Sequence, residues 1–319
     1  MMITDTKLKE LIHFDLEHGE QKTLETFNIK SETLNRRRRE YKERFGDLNL
    51  DKSVTLKKIS EQYSDDELKA IAKGGRLIPG QDKIPIVSFT GEKIKFAHFT
   101  DTHIGSIYFK PEYLKLAIDE CKKEGVEFIC HSGDVVDGMS NRPDHIYELS
   151  HIGYDKQREY AIEQLNQWDK KWYFIDGNHD RYFIKSNGAI IVKDICEKLN
   201  DAEFLGHDEG DISLKGNAVI KLWHGGDGSS YATSYRPQKL IEAFTGGTKP
   251  NILLCGHTHK QVYIFDRHIH CVSGGAICTQ SSFMRGKRLA NHTGFWIIEA
   301  TINKSGVSKF NTTWYPFYA

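Results

Sequence analysis

Five short blocks hold the residue types that ligate metals and move protons. They are Asp101-Thr102-His103, Gly133-Asp134-Val135-Val136-Asp137, Gly177-Asn178-His179-Asp180, His224-Gly225-Gly226-Asp227 and Gly256-His257-Thr258-His259. A mixture of imidazole, carboxylate and amide ligands suits Mn²⁺, Fe or Zn²⁺ better than Ca²⁺ or Mg²⁺. Two such ions about 3.5–4 Å apart clamp the attacking and leaving oxygens of an in-line phosphoryl displacement and acidify a bound water. With two oxygens, Asp134 can bridge two cations. Residues two apart in extended chain face the same side, so Asp101 with His103, and His257 with His259, each read as a paired clamp. The glycines at 133, 177 and 256 read as sharp turns that also leave room for a substrate.

Each block needs an element that delivers it. Strand-like runs at 94–100, 126–132, 172–176, 218–223 and 251–255 precede the five blocks. Helical patterns lie between them near 111–124, 155–168, 189–199 and 236–244. This alternation predicts βαβ units and a largely parallel sheet. Ligands of such sheets bind outside the carboxyl ends of the strands, so five ends can share one crevice. From Gln261 onward strands dominate, which predicts a second sheet or an antiparallel extension.

In this order the blocks resemble the motifs of the calcineurin-like metallophosphoesterases, over about residues 94–280. That superfamily includes protein Ser/Thr phosphatases, purple acid phosphatases, cyclic-nucleotide phosphodiesterases and the nuclease of the double-strand-break repair complex. The resemblance implies an α/β fold, a four-layer α/β/β/α sandwich of two mixed sheets, over a metallophosphoesterase domain at 94–319. By position, Asp101, His103 and His259 would hold a first ion, and Asp134 would bridge to a second. Asn178, His224 and His257 would complete that second site. His179 would protonate the leaving oxygen or steady the transition state, and Asp137 would pair with it and raise its pKa. Asp180 and Asp227 read as turn or supporting residues rather than ligands.

One departure shapes the substrate expectation. Protein phosphatases follow the GDxxD block with a phosphate-gripping arginine, whereas this chain has Gly138. Arg142, or Arg285 within the 284–288 stretch, would take that role. The expected activity is therefore phosphodiester cleavage, preferably of DNA or another nucleic acid, through a metal-bound hydroxide. Two divalent ions are implied, Mn²⁺ first, with Fe, Zn and Ni as the other candidates. The alternatives are a phosphomonoesterase acting on nucleotides, DNA ends or proteins, and a DNA-binding regulator with a hydrolase-derived domain.

Residues 1–75 read as a separate all-helical domain, joined by a linker at 76–93. Leu8, Leu11, Ile12 and Leu16 fall at helical spacing, and Gly19 offers a stop. A short helix at 20–27, a turn at 28–30 and a helix from an Ser31 cap to about Phe45 have helix-turn-helix spacing. A capping box at 64–67 signals another helix, ended by Gly74-Gly75. Within Arg36–Arg39, the middle pair flanks the apolar stripe of Leu34, Tyr41 and Phe45, while Arg36 and Arg39 point away from it. Those two are the candidate nucleic-acid contacts. The competing reading is a solvated helical bundle that packs on the catalytic domain or mediates homo-oligomers.

Composition bounds the rest. The 319 residues suffice for about two domains. With 44 basic and 44 acidic residues, the net charge is zero, which argues against a protein that coats nucleic acid over its whole surface. No apolar run reaches the ~18 residues of a membrane span, and the first residues lack a signal-peptide pattern. Six cysteines form no CxxC pair and read as reduced and structural, which predicts a cytoplasmic protein without a membrane partner. Of 15 histidines, five have an assigned task; His151, His268, His270 and His292 lie in no motif.

Overall fold

Alternate side chains of a strand face opposite sides, so a strand apolar at every position must be covered on both faces. The computed structural model describes residues 4–45, 85–215, 218–226, 231–245 and 249–318, and several strands of its larger unit are buried in this way. The chain divides into two compact units, Met1–Lys69 and Ala70–Ala319. The helix expected at 64–75, the first half of the linker expected at 76–93, and Asp227 lie outside the described residues.

In the first unit three helices are described: α1 (Asp5–His18), α2 (Glu20–Phe27) and α3 (Ser31–Phe45). Gly19, at φ 81°, separates the first two. Leu8, Leu11 and Ile12 of α1 pack on Leu34 and Tyr41 of α3, with Leu24 and Phe27 at the margin. Helix α1 thus contributes more fully buried residues than α2. Ser31 is not the expected cap, because α3 begins at that residue. The amides of Thr33 and Leu34 donate to the Lys30 carbonyl, and the Ser31 hydroxyl donates to Glu20 at 2.6 Å.

Two six-stranded sheets build the second unit. One orders β1 (Ile86–Val87), β6 (Glu209–Leu214), β7 (Ala218–Trp223), β8 (Ile252–Cys255), β10 (Ile269–Gly274) and β9 (Gln261–Asp266) side by side. The other orders β12 (Gly306–Pro316), β11 (Gly294–Asn303), β2 (Lys93–Phe99), β3 (Phe128–Ser132), β4 (Lys171–Asp176) and β5 (Ala202–His207). Strands β2 to β5 run parallel, as do β7, β8 and β10. Antiparallel strands β11 and β12 extend one sheet, and β6 and β9 flank the parallel part of the other.

Ile94, Phe96, Phe128 and Cys130 meet Ile212, Ile220 and Leu254 between the sheets. On the opposite face, Ala97, Phe99, Ile129 and Phe174 belong to a second core covered by helices. Those helices are α4 (Pro111–Lys123), α5 (Tyr154–Leu165), α6 (Tyr182–Asn187) and α7 (Ile191–Cys196). Helix α8 (Tyr235–Ala243) covers the other sheet, setting Ile241 against Leu253 and Cys271. Each large side chain so buried contributes about 1.5–3 kcal/mol. The α/β/β/α sandwich is thus present, with both sheets mixed.

One expectation needs correction. The five strand-like runs do not share one sheet: β2, β3 and β4 lie in one, β7 and β8 in the other. Their carboxyl ends still meet, because the sheets pack face to face. Strands β5 and β6 and helix α6 had no counterpart in the sequence reading. The chain passes from one sheet to the other between His207 and Glu209, at Asp208, whose φ is 61°.

Candidate metal centre

Leaving a strand, each ligand block turns at once. Asp101 (φ 51°), His103 (48°), Asp134 (51°), His257 (71°) and His259 (53°) all adopt the left-handed region. Asp and His tolerate it better than branched residues, yet it stores strain of a kind that concentrates at functional sites. The pairs two apart are therefore not extended: Asp101 and His103 still share one cluster as expected, but His257 and His259 do not. His259 instead joins Asp101 and His103 in one cluster, while His257 joins Asp134 and His224 in another.

The glycines act mainly through close approach. Only Gly133 of the three has positive φ, at 89°. A Cβ on Gly177 would lie 2.2 Å from Asp134 Oδ1, and one on Gly256 would lie 2.3 Å from Thr100 Oγ1. The missing side chains make room for neighbouring ligands, not only for a substrate. Gly138 behaves likewise: at φ 67°, a Cβ there would meet the His179 carbonyl oxygen at 2.2 Å. An arginine cannot stand at this position on this backbone.

In the first cluster, Asp101 Oδ2 accepts from the Thr100 hydroxyl at 2.6 Å and from the His257 amide at 2.9 Å. Its Oδ1 is buried and accepts no hydrogen bond among the described residues. That oxygen lies 3.2 Å from His259 Nε2 and 3.9 Å from His103 Nε2. In the second cluster, Asp134 Oδ2 lies 3.2 Å from His224 Nε2 and also 3.8 Å from His103 Nε2, so it faces both groups. Asp134 Oδ1 accepts from the His179 amide at 2.8 Å, and Asn178 Oδ1 lies 3.2 Å from His224 Nε2. The seven expected ligands thus come together.

Hydrogen bonding fixes the ring tautomers. His103 Nδ1 donates to Asp137 Oδ1 (2.9 Å), and His224 Nδ1 donates to the Ser132 carbonyl (2.7 Å). His259 Nδ1 donates to Asn291 Oδ1 at 2.7 Å; the Asn291 amide nitrogen is committed to the Cys278 carbonyl and Thr293. All three therefore turn Nε2 toward the clusters. His103 Nε2 and His259 Nε2 sit 3.3 Å apart. Two neutral imidazoles so arranged oppose lone pairs, a contact that a cation relieves. Acceptors on the far nitrogen are the usual support of metal-bound histidine.

Charge supports the same reading. Burial alone would lift the Asp101 and Asp134 carboxyls, yet the surrounding histidines hold both well below the usual range. Burial would depress His224 and His179, but Asp134 outweighs it and raises them to about 9 and about 10. The buried carboxylates demand positive charge.

Asp137 does more than was expected of it. Its carboxylate bonds His103 and, through Oδ2, His145 Nε2 at 3.1 Å. Its Oδ1 lies 3.6 Å from His179 Nδ1, which instead donates to the Asp137 carbonyl oxygen at 2.8 Å. The expected Asp137–His179 pairing is thus present through both carboxylate and backbone, and both help to raise the His179 pKa. Asp180 supports the loops as expected, its carboxylate accepting from the amides of Val135, Val136 and Gly177. Sequence reasoning missed His145 and Asn291, which lie in no motif. The Asp208 carbonyl, which receives the His224 amide at 2.8 Å, was missed with its segment.

A cavity of about 690 Å³ opens over the clusters. Arg142 and Lys185 line it, with Tyr108, Tyr182 and Phe283. Arg142 is ion-paired to Glu148, and its guanidinium lies 5.4 Å from the Phe283 ring centre. Arg285 is exposed and is not among the lining residues.

A family model described as calcineurin-like phosphoesterase matches residues 94–261, just over half of the chain. Among solved structures, an archaeal phosphodiesterase is 17% identical with a TM-score of 0.42, covering 70% of this chain and 100% of its own. Yfce, a phosphoesterase from E. coli, is 16% identical with a TM-score of 0.39, covering 68% and 98%. A dimetal phosphatase from Danio rerio is 10% identical with a TM-score of 0.39, covering 70% and 99%. No curated protein sequence matches the chain. No described helix is long and apolar enough to cross a membrane.

Proposed function

The chain belongs to the calcineurin-like phosphoesterases, which are metal-dependent phosphoester hydrolases, and from that premise we propose a dinuclear-metal phosphodiesterase acting on nucleic acid. The observation that carries this reading is Asp134 facing two His/Asp clusters, beside a buried Asp101 Oδ1 that accepts no hydrogen bond among the described residues. Asp101, His103 and His259 would hold one ion, and Asn178, His224 and His257 the other, with Asp134 common to both. The donor set suits Mn²⁺, our choice of resident ion. When bound, the pair supplies water activation and neutralises phosphoryl charge.

The chain's own groups do the rest. His179 is anchored through Nδ1 on the Asp137 carbonyl, so Nε2 is the atom left to pass a proton to the leaving oxygen. Asp134 fixes the backbone of this residue as well. Aromatic and cationic groups share the cavity wall, a combination that suits stacked bases between phosphates. Arg142 is the one expected phosphate contact that lines this wall. Arg36 and Arg39 of α3 are exposed, and we assign them to nucleic-acid contact.

The test is a substrate panel with added Mn²⁺, beside metal analysis of the protein. Hydrolysis of bis-p-nitrophenyl phosphate and shortening of DNA are expected. Release of inorganic phosphate from p-nitrophenyl phosphate, without shortened DNA, would establish a monoesterase instead.

A further inference from the structure

We infer that His145 is a positioning residue for His103, acting through Asp137. The inference rests on the reading above that His103 holds a metal ion. His145 is buried, 4% exposed, in the short 3₁₀ turn His145–Glu148. Its Nδ1 lies 3.0 Å from the amide nitrogen of Ser140, which can only donate, so Nδ1 accepts. The ring is therefore neutral with its proton on Nε2, and Nε2 donates to Asp137 Oδ2 at 3.1 Å. With Oδ2 engaged, the carboxylate presents Oδ1 to His103 Nδ1 at 2.9 Å. That bond leaves His103 Nε2 facing Asp101, Asp134 and His259.

Every donor and acceptor in the chain from the Ser140 amide to His103 Nδ1 is thus assigned. The same assignment excludes a rival role. Asp137, His145 and His179 are close enough to ligate an ion themselves. Both nitrogens of His145 are already committed, one as acceptor and one as donor, so this group works as a hydrogen-bond junction. The turn that carries His145 also carries Glu148, the partner of Arg142. His145 therefore ties the cavity wall to the first cluster and not to the second, whose His224 rests on the Ser132 carbonyl.

Two substitutions separate the roles of the two ring nitrogens. The amide nitrogen of His145→Gln overlays Nε2 and keeps the donor to Asp137. The amide of His145→Asn overlays Nδ1 and keeps only the contact to Ser140. Mn²⁺ alone is titrated into the full-length wild type and both variants, with free Mn²⁺ followed by electron paramagnetic resonance. Wild type should bind two ions. His145→Asn should weaken one of them about 10-fold, the lower end for lost support of a ligand. His145→Gln should stay within about 3-fold of wild type at both sites.

Equal losses in the two variants, losses at both sites, or no loss in either would overturn the inference. If His145→Asn does not fold, His145→Gln is compared with Asp137→Asn. Near-wild-type binding by the first and one weakened site in the second supports the inference; equal weakening overturns it. A wild type that binds no Mn²⁺ rejects the metal reading itself.

Discussion

Helix α3 and the crevice are both dense in charge, but acids of α1, α2 and α3 close much of the α3 charge, whereas the crevice has no such fixed counter-charge among the described residues. Arg37 pairs with Glu40 at 2.5 Å, and Arg38 grips both oxygens of Asp15 at 2.8 and 2.9 Å and reaches Glu20 at 3.1 Å. Arg44 reaches Asp5 and Glu40. In the crevice, Asp101, Asp134 and Asp137 are buried, and among the described residues their ion pairs are with histidines alone. Imidazole is a conditional cation. A run of charge along a sequence can be closed by its own neighbours, whereas buried acids that converge without a fixed cation call for one.

The largest break in this contrast comes from removing the shared acid. Asp134→Asn should reduce turnover to background and release at least one equivalent of bound metal, read by elemental analysis. Turnover retained with two ions bound would end the bridging assignment. His179→Ala leaves the clusters themselves intact, so both ions should stay while kcat falls by ~10²–10⁴. Metal lost from that variant would make His179 a ligand instead.

Asn291→Ala sharpens the comparison between clusters. It removes the acceptor of His259 Nδ1 and should weaken Mn²⁺ at one site about 10-fold, leaving the other unchanged. Weakening at both sites would mean the clusters are not separable. The smallest effects belong to α3. Arg38→Ala should cost about 1 kcal/mol in urea unfolding, because Asp15 loses its partner. Arg36→Ala with Arg39→Ala should change stability by less than about 0.5 kcal/mol. It should also flatten the slope of log K for DNA against log salt by about 1.8. An unchanged slope would make α3 a structural helix only.

Much of the site was legible because its chemistry is local. Each ligand lies within a few residues of a strand end, and short blocks preserve that relation whichever sheet holds the strand. The unread parts depend on contacts distant in sequence. His145 and Asn291 matter only because Asp137 and His259 turn a nitrogen toward them. Strands β5 and β6 escaped because Gly206, Gly210 and four acids break up the apolar residues of 202–214. Their corner nonetheless holds His224, through the Asp208 carbonyl. The glycines were recognised and Gly133 turns as expected, but their close approach to distant segments was not legible.

By itself the sequence offered the ligand types for a cation: two carboxylates, four imidazoles and an amide at the mouths of five strands, with Asp137 and His179 set beside them for proton transfer. It also separated α3's arginines into a flanking pair and an outward pair. Only the tertiary structure decided that Asp137 serves several histidines and that ring tautomers turn Nε2 inward. The physical reason is directional. A residue's type fixes what its atoms can bond, but the tautomer depends on the acceptor behind the ring. That acceptor comes from wherever the fold brings the chain back.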